Sequence, residues 1–129
     1  MKGKRCIVPA EGPRAGGPYS PAVAAGGWIF VAGQIPVDPR TGEVVRGSIE
    51  EQTRRVLENV RLVLRPAGVD LDAVVRTTVY LRDLSDFSAM NGVYAAFFST
   101  EAPARTTVGV ADLPQGVDIE IDAIAWSGE

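Results

Sequence analysis

The chain has 129 residues, of which 46% are hydrophobic and 22% charged, and its formal net charge is −3. This composition predicts one folded domain over residues 1–129 and excludes a disordered chain. With no histidine and a single cysteine, the sequence also excludes a Ser-His-Asp triad, a Cys-His pair, a histidine zinc site and an intramolecular disulfide.

The charge balance and the apolar pattern limit the possible partners. No excess of basic residues exists to neutralise a phosphate backbone, so nucleic acid is an unfavoured partner. No signal peptide is visible, and the longest apolar stretch, residues 21–33, is too short to span a bilayer. The sequence therefore predicts a cytoplasmic protein without a membrane partner. No glycine-rich phosphate loop occurs and no acidic cluster indicates a Mg²⁺ site, so the residues favour neither a phosphate-bearing cofactor nor a metal, although acidic residues that could bind Mg²⁺ are present.

The first elements along the chain are a loop and a hairpin. Cys6 lies near the N-terminus, where chain ends fray, and we interpret it as incidental. Residues 12–20 are rich in glycine and proline, which is typical of a loop. Residues 22–25 and 28–32 flank the pair Gly26-Gly27, and this arrangement predicts a hairpin.

After a turn over residues 36–42, the sequence predicts a helix. Ser48 is its N-cap and Glu51 completes a capping box, while Pro66 and Gly68 end it. The buried face is indicated by apolar side chains at helical spacing: Ile49, Val56, Leu57, Val60, Val63 and Leu64. A solvated face is indicated by charged residues off this stripe: Arg54, Arg55, Glu58 and Arg61.

The second half of the chain predicts a strand over residues 75–81, a helix over 86–98 capped by Ser85, and strands over 106–110 and 117–125. The first strand turns one set of side chains to the same face: Val75, Thr77, Val79 and Leu81. The helix has an apolar stripe that we interpret as core: Phe87, Met90, Val93, Tyr94 and Phe97.

The resulting order, β-β-α-β-α-β-β, predicts an α+β domain with a mixed sheet. Two helices can cover only one face of such a sheet. The other face must therefore meet water, a ligand or another subunit, and we infer a homo-oligomer.

Since histidine is absent, the side chains that remain as candidates for substrate binding and acid–base catalysis are arginine and the carboxylates. Arg105, just after Pro103-Ala104, has a guanidinium that can bind a substrate carboxylate through two hydrogen bonds. Arg76 is its competitor, because residues 76–84 repeat residues 105–113 at six of nine positions. Glu120 is a candidate acid or base in the last strand, with Asp122 on the same face as an equal rival; both also fit solvated or ion-paired roles.

Several motifs, in order and over nearly the whole chain, resemble the RidA (YjgF) family. They are Gly17-Pro18-Tyr19-Ser20, Ala32-Gly33-Gln34-Ile35-Pro36, Thr41-Gly42-Glu43, Asn59-Val60, Thr77-Thr78-Val79-Tyr80, Asp83-Leu84, Asn91, Pro103-Ala104-Arg105, Leu113-Pro114 and Ile119-Glu120-Ile121.

The resemblance implies a chorismate-mutase-like fold that assembles as a homotrimer, with ligand pockets in the clefts between subunits. It also implies hydrolysis of reactive 2-imino and enamine acids, such as 2-iminobutanoate and 2-iminopropanoate, to 2-oxo acids and ammonia, without a cofactor. By the same resemblance Arg105 clamps the substrate carboxylate and Glu120 positions the attacking water. Further substrate-binding positions implied in this way are Tyr19, Gly33, Asn91 and the backbone of Thr107.

The sequence departs from the best-known deaminases of this family at Ala32, where many have serine, at Thr107, where cysteine is common, and at Gly109, where glutamate is common. These changes affect the expected substrate range more than the expected fold. Two other functions are weighed against deamination. One is a non-catalytic module that binds a small carboxylate such as a 2-oxo acid. The other, an endoribonuclease or translation inhibitor, is disfavoured by the acidic charge and the lack of histidine.

Overall fold

A six-stranded mixed sheet forms the body of the protein in a computed structural model that describes residues 3–128. The strands are Arg5–Ile7 (β1), Ala22–Ala25 (β2), Trp28–Gln34 (β3), Val74–Leu81 (β4), Ala104–Gly109 (β5) and Ile119–Trp126 (β6). The helices are Ile49–Leu64 (α1) and Phe87–Phe97 (α2). Neighbouring strands follow the order β1-β2-β3-β6-β4-β5, and all pairs are antiparallel except β4 with β5. The predicted α+β class is confirmed.

The start of α1 is encoded locally, as predicted. The Ser48 side chain accepts a hydrogen bond from the backbone N–H of Glu51 at 3.1 Å, and the Glu51 carboxylate accepts one from the N–H of Ser48 at 2.8 Å. At the other end, a short turn over Arg65–Ala67 leads to Gly68, which adopts φ +79°. Such a left-handed conformation favours glycine, so the helix ends where the sequence predicts.

The predicted cap of α2 is wrong. Asp83 accepts hydrogen bonds from both the backbone N–H and the hydroxyl of Ser85, at 3.0 and 2.8 Å. Ser85 therefore belongs to a short helical turn, Leu84–Asp86, and α2 begins after it. Asp83, two residues after β4, accepts the hydrogen bond of the serine hydroxyl that would otherwise cap the helix.

Two further predictions about the strands are corrected. β1 was not predicted, because three residues near a chain end carry little pattern; Cys6 pairs with Val23 within it and is exposed. In β4, pairing with β6 shifts register between Val74 and Arg76, which buries Val74 and leaves Val75 exposed. A bulge of this kind interrupts strict alternation. The last two strands also begin two residues from their predicted starts.

Both helices pack on one face of the sheet, as predicted. The core between them contains Val56, Leu57, Val60, Ile119 and Ile121, each at most 1% exposed. The opposite face, here called the open face, carries exposed aromatic side chains: Trp28, Phe30 and Trp126. Among residues 3–128, no helix combines the length and apolar character needed to cross a bilayer.

The fully buried Asn59 ties α1 to the segment after β3, and replacing it with alanine is expected to destabilise the fold. Its amide donates to the carbonyl oxygens of Ile35 and Val37, at 3.2 and 2.8 Å. Asn59→Ala leaves both carbonyls without this donor, so the free energy of unfolding should fall by about 2–4 kcal/mol in urea titrations. Arg54→Ala, an exposed change on the same helix, should stay within about 0.5 kcal/mol. Equal unfolding midpoints for the two variants would contradict this role.

Candidate functional site between sheet edge and open face

Arg105 lies on the helix-covered face, at the edge of the sheet. Its strand position pairs with the buried Thr77 of β4, which sets this orientation. The guanidinium carbon lies 4.7 Å from the centroid of the Tyr94 ring and 5.4 Å from that of Phe87. Both distances are in the range of cation–π attraction. The Tyr94 hydroxyl and the Thr77 hydroxyl are 2.7 Å apart and hydrogen-bonded, so the ring beneath the guanidinium is held in place.

Tyr94 stays a neutral phenol beside this cation. Burial raises the pKa of Tyr94, while the hydrogen bond with Thr77 and the charge of Arg105 act in the opposite direction with smaller effect. The pair therefore carries the single positive charge of Arg105, which is available to an anion.

Asn91 lies on the same side of α2 as this aromatic pair. It is one helical turn after Phe87 and one turn before Tyr94, and positions with this spacing share a helix face. Its side chain is half-buried. Asn91 therefore shares a helix face with the two rings that contact Arg105.

The backbone of β5 is open on its outer side, because β5 is the terminal strand. The N–H of Val110 donates to the carbonyl of Leu81 at 2.9 Å and so points towards β4. Since backbone groups alternate in direction along a strand, the N–H groups of Arg105 and Thr107 point to the free edge. We name Asn91, Arg105 and Thr107 the arginine half-site.

Glu120 lies on the open face, next to Gly33. A Cβ added to Gly33 would overlap the Glu120 carboxylate, so only glycine leaves room for that carboxylate in its present place. Burial raises the pKa of Glu120, and the negative charge of Asp122 raises it further. Asp122 itself accepts a hydrogen bond from the hydroxyl of Tyr80 at 2.9 Å. Glu120 and its sequence rival therefore share a face but have different partners.

Tyr19 joins Gly33 in the wall of a cavity of about 100 Å³. Its ring is held by the loop, because the N–H of Gly16 donates to its hydroxyl at 3.0 Å. The residue is still 55% exposed and can contact a ligand from outside. We name Tyr19, Gly33 and Glu120 the glutamate half-site.

The two half-sites lie on opposite faces of the sheet. Arg105 pairs in register with Thr77, whose side chain is buried under α2, whereas Glu120 pairs with Tyr80 on the open face. One chain therefore does not bring Arg105 and Glu120 to a common ligand. Within residues 3–128, no three Cys, His, Asp or Glu side chains cluster closely enough to hold a metal ion.

The competitor Arg76 lies on the open face, where its guanidinium donates to the Thr106 hydroxyl at 2.8 Å. The repeat aligns Arg76 with Arg105, but the strand register pairs Arg76 with Ala104. This difference of one residue turns the two arginines to opposite faces.

Two features of the site were missed from sequence. Phe87 and Tyr94 were both assigned to the core. Tyr94 is buried there, but the core assignment of Phe87 is wrong because Phe87 is 38% exposed, and both rings contact Arg105. The available signal was their common helix face with Asn91. The Tyr80–Asp122 hydrogen bond was missed because it joins two strands that are far apart in sequence.

Comparison with known proteins gives a consistent family. The sequence profile of the Endoribonuclease L-PSP family matches residues 10–127. A RutC family protein of Pyrococcus horikoshii is 51% identical over 123 residues, covering 95% of this chain and 98% of its own. The human 2-iminobutanoate/2-iminopropanoate deaminase is 42% identical over 125 residues, covering 97% and 91%. The crystal structure of E. coli TdcF with bound serine superposes with a TM-score of 0.90 at 40% identity, covering 95% and 98%. The chain therefore belongs to the Endoribonuclease L-PSP family, which includes the RidA (YjgF) and RutC proteins.

Proposed function

We propose that this protein is a cytoplasmic deaminase that hydrolyses 2-imino acids and their enamine tautomers, with 2-iminobutanoate and 2-iminopropanoate as substrates. The observation that carries the proposal is the Arg105 guanidinium, held over Tyr94 beside the outward N–H of Thr107. These donors suit a carboxylate, which both substrates have. The 42% identity to a human protein named for this reaction supports the assignment, as does the serine bound to the similar TdcF structure.

In the proposed reaction, Arg105 and the Thr107 N–H bind the substrate carboxylate, and Asn91 contacts the substrate beside them. The imine nitrogen is protonated, which makes C2 electrophilic. Water held by Glu120 attacks C2 and gives a carbinolamine. Its C–N bond breaks as the nitrogen leaves as ammonia, and the 2-oxo acid remains. Positioning and modest acid–base assistance account for the rate, since imines hydrolyse readily in water.

We propose that the active site is completed between subunits of a homotrimer with a chorismate-mutase-like arrangement. The arginine half-site of one subunit would face the glutamate half-site of its neighbour, which removes the separation imposed by the sheet. The exposed Trp28, Phe30 and Trp126 supply apolar surface for such an interface.

A coupled assay tests the activity. A threonine dehydratase generates 2-iminobutanoate in the presence of semicarbazide, which traps the imine, and both 2-oxobutanoate and semicarbazone are followed. We expect this protein to speed 2-oxobutanoate release and to lower the semicarbazone yield. If the protein changes neither the rate of 2-oxo acid release nor the semicarbazone yield, with threonine-derived and with serine-derived imine, the proposed deaminase activity is wrong. Binding of 2-oxobutanoate in calorimetry would then favour the carboxylate-binding module, which uses the same arginine half-site.

Replacing Gly33 with alanine should lower kcat/KM by at least about tenfold, because the new methyl group displaces the Glu120 carboxylate. The carboxylate is the end of a flexible side chain, so the fold should persist with a similar melting temperature. Gly92→Ala on α2 is the matched control, since nothing lies within 4 Å of an added Cβ there. Full activity of Gly33→Ala would mean either that Glu120 has no role in the reaction or that Gly33 is not needed to position the Glu120 carboxylate.

Replacing Asp122 with asparagine should move the acid limb of kcat/KM to lower pH. Burial and the Asp122 charge both raise the pKa of Glu120. Removing that charge lowers the pKa, so Glu120 stays ionised, and able to hold water as a base, in more acidic solution. We expect a shift of about half a pH unit, measured from pH–rate profiles. Asp72→Asn, at an exposed position before β4, should leave the profile in place; a shift to higher pH in Asp122→Asn would contradict the role of Glu120 as base.

A further inference from the structure

A cleft of about 540 Å³ lies between the N-terminal loop, the turn after β3 and α1. Each of these three segments contributes one arginine to its wall: Arg14, Arg40 and Arg55. Pro39 and Leu62 add apolar surface. None of these residues belongs to either half-site, although Arg14 also borders the cavity of Tyr19.

Arg55 is the best-positioned of the three cations. Its Nε donates to the side-chain oxygen of Asn59 at 3.2 Å. Asn59 is fully buried, and its amide group is committed to the carbonyls of Ile35 and Val37. The buried side chain of Asn59 thus orients the half-buried guanidinium of Arg55 at the cleft wall. Because Arg55 uses only Nε for this hydrogen bond, its terminal nitrogens can donate to a ligand.

The cleft carries more positive than negative charge, although the chain as a whole is acidic. Two carboxylates lie near it. Asp38 accepts from the backbone N–H of Arg40 at 2.9 Å and forms an ion pair with the Arg40 guanidinium at 3.4 Å. Both contacts hold the pKa of Asp38 below its usual range. Glu11 lines the cleft, and its carboxylate lies 3.9 Å from the guanidinium of Arg65, which is not part of the cleft wall. The cleft therefore has three guanidinium groups and two carboxylates, of which Asp38 pairs with Arg40 and Glu11 lies near Arg65, so positive charge remains in excess.

We propose that this cleft binds a small phosphorylated metabolite, with its phosphate held by Arg55, Arg14 and Arg40. A phosphate dianion gains about twice the Coulomb attraction of a carboxylate at the same distance. Guanidinium groups also match phosphate oxygens through paired hydrogen bonds. Leu62 and Pro39 contact the uncharged part of the ligand. The site is separate from the arginine half-site, and Arg14 is the residue that it shares with the cavity beside Tyr19.

Calorimetry at low ionic strength tests the proposal with AMP and inorganic pyrophosphate as probes, adenosine as the phosphate-free control and citrate as the carboxylate control. We expect AMP and pyrophosphate to bind and adenosine and citrate to bind at least about tenfold more weakly. Arg55→Gln should weaken AMP binding by at least about tenfold. Arg54→Gln, the same charge change at the neighbouring exposed position of α1, should change it by less than about twofold.

Several results would overturn the proposal. One is no binding of AMP or pyrophosphate at about 5 mM. Others are equal affinity of Arg54→Gln and Arg55→Gln, equal binding of adenosine and AMP, preference for citrate, or binding of a single-stranded oligoribonucleotide with none of AMP. Circular dichroism and the melting temperature establish that Arg55→Gln is folded; if it is not, Arg14→Gln combined with Arg40→Gln replaces it. Arg105→Ala should bind AMP normally, so loss of deamination and loss of this site are distinguishable.

Discussion

Replacing Arg105 with lysine should lower kcat/KM for 2-iminobutanoate by at least about a hundredfold, and alanine should lower it by about a thousandfold. Lysine keeps the charge but has neither the planar fork nor the extended face that lies over Tyr94 and Phe87. The ammonium group can form one hydrogen bond with the carboxylate where the guanidinium forms two. The loss should therefore appear in kcat/KM while the melting temperature changes little, because Arg105 lies at the sheet edge and is only half-buried.

Arg76→Lys is the matched control for this change. Arg76 occupies the equivalent place in the repeated segment, but its guanidinium contacts Thr106 on the open face. We expect kcat/KM to stay within about twofold in this variant. Retention of full activity by Arg105→Lys, or an equal loss in Arg76→Lys with its assembly intact, would show that the clamp is not at Arg105.

Two inactive variants should restore activity when their subunits are mixed. Arg105→Ala lacks the arginine half-site, and Glu120→Gln lacks the base of the glutamate half-site. Because the sheet separates these half-sites within a chain, each active site in the proposed trimer combines one half-site from each of two neighbours. Random assembly of equal amounts then joins two intact half-sites in about a quarter of the sites. Unfolding and refolding the variants together should give about that fraction of wild-type activity.

The control for this experiment mixes Arg105→Ala with the double variant Arg105→Ala/Glu120→Gln, which contains no intact arginine half-site and should stay inactive. Native mass spectrometry measures both the subunit number and the presence of mixed oligomers. Mixed oligomers without activity would mean that Arg105 and Glu120 do not act on one ligand across an interface. A monomer that deaminates at full rate would contradict the shared site itself.

For binding of the substrate carboxylate, we expect the backbone N–H of residue 107 to contribute more than its side chain. Thr107 stands where the best-known deaminases of the RidA family often have cysteine, but its N–H points to the free edge of β5 whatever the side chain is. The proposed carboxylate contact needs only that N–H group. The proposed chemistry therefore does not depend on a thiol at this position.

Local features of the fold were readable in the sequence. The capping box of Ser48 and Glu51 uses groups only three residues apart, so the residues themselves encode the start of α1. In β6, Ile119 and Ile121 alternate with Glu120, and strict alternation places Glu120 away from the core. The motifs around Tyr19, Arg105 and Glu120 also indicated the family, which the comparisons confirm.

The register of the paired strands could not be predicted from the sequence and is defined only by the tertiary structure, because it aligns residues that are far apart in the chain. It turned Arg76 and Arg105 to opposite faces despite their repeated context, and it exposed Val75 instead of Val74. Gly33 and Glu120 were likewise predicted as separate site residues, and the sequence did not indicate that the missing side chain of Gly33 leaves space for the Glu120 carboxylate. The physical reason is that a strand's own residues specify alternation, whereas the face that each set occupies depends on its pairing with a distant strand.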